Sequence, residues 1–106
     1  MPKLDSPVKR WPGSVTLPEY LTWPQLEAWQ QAASEATEAT ALAARQLAWV
    51  RGICAIVSTW ELTGLPSSMT PESFPATPPK SSVALMGWLI RSISDLLNEV
   101  DEIPNE

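Results

Sequence analysis

Prolines decide where this chain can form regular structure. Pro2, Pro7, Pro12 and Pro18 punctuate its beginning, and Pro66, Pro71, Pro75, Pro78 and Pro79 crowd the stretch from Gly64 to Lys80. Each lacks a backbone N–H and holds φ at about −65°, so neither stretch supports a long helix or a central strand. The spacing predicts an extended proline-rich arm over residues 1–21 and a stiff connector before the last helix, with residues 22–106 forming one helical domain. Ser14 to Leu17, where Val15 and Leu17 alternate with polar neighbours, reads either as one edge strand or as a segment lying along the domain.

Thr22 opens the first helix. It is an N-cap residue followed by Pro24 in the first turn and by Gln25 at the position that completes a capping box, with Leu21 and Leu26 at staple positions. Leu26, Trp29, Ala33 and Ala36 then recur at three- and four-residue steps, while Glu27, Gln30, Gln31, Glu35 and Glu38 lie elsewhere around the cylinder. From Leu47 to Trp60 two apolar stripes run together, Leu47, Val50, Cys54 and Val57 beside Trp49, Ile53, Ile56 and Trp60, which predicts a mostly buried helix. The β-branched run from Ile53 to Trp60 leaves a strand as the alternative reading. A single rod from Trp23 to Trp60 would be about 57 Å long, too long for a compact chain of this size, so a break is expected between Thr37 and Ala44.

Gly64 suits a helix C-cap, and Thr70 with Pro71 can start a short turn carrying Phe74. After Pro79, Ser81 or Ser82 can cap a last helix whose stripe is Met86, Leu89, Ile90, Ile93, Leu96, Leu97 and Val100, ending before Pro104. The predicted fold class is therefore all-α, with about three main helices.

The residues offer little chemistry. Histidine is absent and Cys54 is the single cysteine, which excludes disulfides within the chain, zinc sites of the usual kind and serine triads that need an imidazole. No cofactor, metal or catalytic residue is expected. Asp95 and Glu99, with Asp101 or Glu102, lack a calcium-loop spacing and read as a solvated helix face. Cys54, on an apolar stripe, reads as a small buried hydrophobe. Lys3, Lys9 and Lys80 lie beside prolines with nothing in sequence to desolvate them. Pro75 to Lys80, PATPPK, matches a proline-recognition pattern, but its place between two helices favours a connector. Net charge is −5, concentrated after Val83, where Arg91 faces Asp95, Glu99, Asp101, Glu102 and Glu106; nucleic acid and anionic membranes are unfavourable partners. The opening MPKLDSPVKRWPG has no apolar core of a signal peptide, and Arg45 and Arg51 interrupt the most apolar stretch, so no secretion or membrane span is expected.

Six tryptophans are more than a domain of this size ordinarily needs for its core. Trp29, Trp49, Trp60 and Trp88 fall within predicted helices and read as core. Trp11 and Trp23 each precede a proline at or before a helix start, where an aromatic can anchor a partner; the opposing reading for Trp11 is that the arm folds back and plugs the core. Tyr20, Trp23 and Trp11 are the candidate partner-binding residues.

The order of segments, WPGSVTLPEYLTWPQLEAW, then IVSTWELTGLPSSMTPESFP, then SSVALMGWLIRSISDLLNEVDEIPNE, resembles the tail assembly chaperones, small proteins encoded beside the tape measure gene of long-tailed bacteriophages. The similarity runs from Trp11 onward. It implies a helical, non-enzymatic protein of the host cytoplasm that binds the hydrophobic tape measure protein, helps recruit tail tube protein and is absent from the finished particle, with self-association of the chain left open. The alternative is a structural adaptor or minor tail subunit, for which the arm would dock on a neighbouring subunit. A minor enzyme or an inhibitor of a host enzyme is a third class, supported only by solubility and acidity.

Overall fold

The computed structural model describes residues 3–101, with side chains through Leu97. Element order is β1 (Lys3–Asp5), β2 (Gly13–Thr16), α1 (Trp23–Glu38), α2 (Leu42–Ile56), β3 (Thr59–Leu62) and α3 (Pro79–Asp101). The three strands form one antiparallel sheet in the order β1-β2-β3. The fold is therefore mixed α and β, which corrects the all-α expectation. Val100, Glu99 and Asp101 lie outside the described side chains, and Glu102 and Pro104 outside the described residues.

The predicted arm is built into the domain. Val8, Trp11, Val15 and Leu17 all belong to the buried core, and the segment expected at most as an edge strand is the central one. Gly13 makes this possible. Its φ is +132°, and a Cβ there would run into the Glu61 carbonyl of β3, so only glycine lets the strands approach at that register. On one face of the sheet Leu4, Val15 and Trp60 stand in a row, with Val15 and Trp60 buried in the core. On the other face Lys3 and Glu61 reach across β2 to form an ion pair of 3.3 Å.

The strand alternative for the end of the double-striped segment holds from Thr59 onward. α2 begins earlier than expected and stops at Ile56, where Val57 turns extended and its N–H donates to Ile53 O. Ser58 N–H then donates to Thr16 O at 2.8 Å, the first bond of the β2–β3 ladder. Thr59 to Leu62 alternate exposed and buried, the period of a half-buried strand. Gly64 is accordingly a turn residue and not a helix cap: its φ is +90°, in the tight turn closed by Leu65 N–H to Leu62 O at 3.1 Å. Leu47, expected on a buried stripe, is exposed.

Helices α1 and α2 form an antiparallel pair broken at Ala39–Ala41, within the stretch where a break was expected. α1 buries Trp29, Ala32 and Ala36, a narrow face that lets α2 come close. At the contact, a Cβ on Gly52 would sit 2.7 Å from Ala32 Cβ and 3.0 Å from the Trp29 ring. Trp29 also meets Trp49 at a centroid distance of 5.2 Å. Gln25 Nε2 donates to Ala55 O and Arg51 pairs with Glu35, two further links between the helices.

The connector carries the expected turn. Thr70 N–H donates to Ser73 Oγ and Ser73 N–H to Thr70 Oγ1, and the turn delivers Phe74 edge-on to Trp60 at 6.3 Å. α3 starts at Pro79, earlier than the predicted serine caps. Ser82 is instead buried within the first turns and donates to Pro75 O at 2.6 Å, fastening the connector to the helix. Leu85, Met86, Leu89, Ile93 and Leu96 complete the core.

Two glycines give a paired test of this packing. Gly52→Val overpacks the α1–α2 contact and is expected to lower stability by about 1–3 kcal/mol in chemical denaturation. Gly87→Ala, at an exposed helical position with nothing within 4 Å, is expected to raise it by up to about 1 kcal/mol through helix propensity.

Candidate functional site

The start of α1 is built so that Trp23 cannot turn inward. Thr22 is the N-cap: its Oγ1 accepts from Gln25 N–H at 3.4 Å, and its own N–H donates to Gln25 Oε1 at 3.0 Å. The capping box is complete, as the Thr22–Gln25 spacing predicts. Gln25 simultaneously reaches Ala55 O on α2, so the cap is tied to the neighbouring helix and not only to its own turn. That arrangement fixes Trp23 at the first helical position, on the side of α1 away from Trp29, Ala32 and Ala36.

The structure divides the predicted anchor residues. Trp23 is 82% exposed and Tyr20 72% exposed, whereas Trp11 is 6% exposed. Trp11 is thus a core residue and is withdrawn as an anchor. Its N–H donates to Val8 O at 3.2 Å in the β1–β2 loop, and that loop turns the indole under the Gly64 turn, where its Cδ1 would lie 3.5 Å from a Cβ on Gly64. The plug reading of the arm is the one observed. Trp29 and Trp60 are buried and Trp49 and Trp88 half-buried. Of the six tryptophans, all among the described residues, Trp23 alone is exposed.

The exposed indole is a ridge between two open concavities. Trp23, Pro24, Leu26, Glu27 and Gln30 line one of about 400 Å³, and Leu21, Thr22, Trp23, Pro24 and Leu26 line another of about 550 Å³. Leu21 is half-buried against the core, which makes the floor continuous with the domain. Sequence reasoning missed a third concavity of about 200 Å³ between α2, the connector and α3, lined by Ala43, Leu47, Val50, Phe74, Pro75 and Met86 among others. The surplus of apolar positions around Leu47 was its only signal.

Cys54 is half-buried. Burial, and secondarily the Glu72 carboxylate, push its thiol up from the ordinary 9.0 to about 11, so it is a protonated, unreactive side chain at neutral pH. Among the described residues no group of three or more potential metal ligands occurs, and no helix is long and apolar enough to cross a membrane. Comparison with protein-family models, curated proteins and solved structures finds no match.

Removal of the cap in Thr22→Ala is expected to cost about 1 kcal/mol, measured by urea denaturation. Cys54 supplies a pH test. The unfolded thiol ionises near 9.0 and the folded one near 11, so the protonated form is favoured by folding. Its contribution to stability is complete below the unfolded value and is lost as pH rises toward the folded one. The stability difference between the wild type and Cys54→Ala is expected to be flat up to pH 9.0 and then to shift against the wild type between 9.0 and 11.

Proposed function

We propose that this protein is a non-enzymatic tail assembly chaperone that binds a hydrophobic helical segment of the tape measure protein at the α1 start, through Tyr20 and Trp23. One observation carries the reading: a chain that uses Trp11, Trp29 and Trp60 to build its core leaves Trp23 out of it, and holds that residue in place with a hydrogen-bonded cap. An exposed apolar residue on a rigid helix start is a poor use of a tryptophan for stability and a good one for docking, because the backbone that carries it is already ordered before binding. The two concavities beside the indole suit the side chains of a partner helix.

The adaptor alternative drew its support from an arm free to dock on a neighbouring subunit. With residues 3–17 forming two strands and contributing to the core, that support is gone. Action in the host cytoplasm and recruitment of tail tube protein belong to the same proposal.

The test is co-expression with the tape measure protein. Tyr20→Ala/Trp23→Ala is expected to retain the wild-type circular dichroism and melting curve while co-purification falls about tenfold or more, the loss typical of a hot-spot aromatic. Undiminished co-purification of a folded double variant would refute the site. Abundant protein in purified phage particles would refute a chaperone role.

A further inference from the structure

The exposed side of α1 continues beyond Trp23 as a ridge of Glu27, Gln30, Ser34 and Glu38, at four- and three-residue steps and all exposed. It lies opposite the buried Trp29, Ala32 and Ala36, so the whole length of the helix, about 22 Å from Trp23 to Glu38, is open to a partner. No lysine or arginine occurs anywhere between Trp11 and Ala44. On the C-terminal side of that stretch the next two cations are already engaged, Arg51 with Glu35 at 3.8 Å and Arg45 with Ala39 O at 3.4 Å. Glu27 and Glu38 make no ion pair among the described residues. Glu27 itself lines the concavity beside the indole.

From this juxtaposition of one exposed tryptophan with an unneutralised acidic ridge we infer that the site recognises a basic amphipathic helix: an apolar anchor that packs on Trp23, bordered by lysine or arginine that meets Glu27 and Glu38. The inference rests on the docking site proposed above and adds the charge of its occupant. Charge complementarity selects this partner over others. A second copy of the chain laid on the same face would set Glu27 against another acidic ridge. An anionic lipid surface would attract the indole but repel the same carboxylates. A purely apolar helix would satisfy Trp23 and leave Glu27 beside an uncompensating neighbour.

Two synthetic helical peptides with the same leucine stripe, one bordered by lysine and one by glutamate, test the idea against the full-length protein by isothermal titration. The lysine peptide is expected to bind about tenfold tighter at low salt, with the preference shrinking as ionic strength rises. Glu27→Lys/Glu38→Lys is expected to abolish or invert that preference, and Trp23→Ala to weaken both peptides alike; circular dichroism checks that each variant is folded. Equal binding of the two peptides, or an unchanged preference in the charge-reversed variant, would overturn the charge rule. If Trp23→Ala still reduced binding in that case, the docking site would survive. Failure of both peptides to bind, or binding indifferent to Trp23, would overturn the inference together with the site.

Discussion

Strand β2 is only four residues long, yet its backbone is paired on one side with β1 and on the other with β3. That double pairing governs most of the molecule. It draws the proline-rich beginning of the chain into the domain, because pairing Lys3–Asp5 with Ser14–Thr16 closes a loop whose Val8 and Trp11 then have nowhere to go but inward. It also ends α2. Val57 and Thr59 are β-branched and Ser58 is a weak helix former, so helical propensity is already falling when Thr16 O offers a hydrogen bond to Ser58 N–H. Gly13 is the point where the arrangement is most demanding, since a side chain there would collide with the backbone of β3.

The second constraint is the slimness of α1. Apart from Trp29, its buried positions are alanines, facing a glycine on α2. Small residues at the contact let two helices approach closely and still bury Trp29 against Trp49. A narrow buried face has a corollary: the opposite face is wide and solvated. Trp23 falls on that wide face, and it is kept there by the cap. The same helix is thus both an essential part of the core and an open surface.

Features encoded within a few residues were legible in the sequence. The Thr22 capping box, the Thr70 turn with Phe74, the break before α2 and the long stripe of α3 all follow from spacings of three and four residues or from the reach of a compact chain. What escaped was non-local. Gly13–Thr16 pairs with Thr59–Leu62, and no local rule joins residues so far apart; the β-branched run from Ile53 to Trp60 left a strand open but was outweighed by a helical period that does run up to Ile56. Gly64 changed role for the same reason, since a glycine that can end a helix can equally turn a strand. For the aromatics, their place beside prolines marked both Trp11 and Trp23 as anchor candidates, with a plug of the core as the opposing reading for Trp11. Only the fold-back of the β1–β2 loop separates them, and it depends on strand pairing.

The separation of the tryptophans carries the functional argument furthest. A residue that contributes nothing to the core is free to be replaced by a polar one at no cost to folding, and exposed indoles favour unwanted association. In this chain the liability is set within an acidic region with no lysine or arginine from residue 11 to 44. Like-charge repulsion therefore opposes contact between copies through this face while leaving the indole available to a partner of opposite charge. Attraction alone would bring any apolar surface to Trp23. On the proposed reading, the Glu27 beside the indole turns an adhesive spot into a selective one, because a partner that lacks a cation there must bury or crowd a carboxylate without compensation.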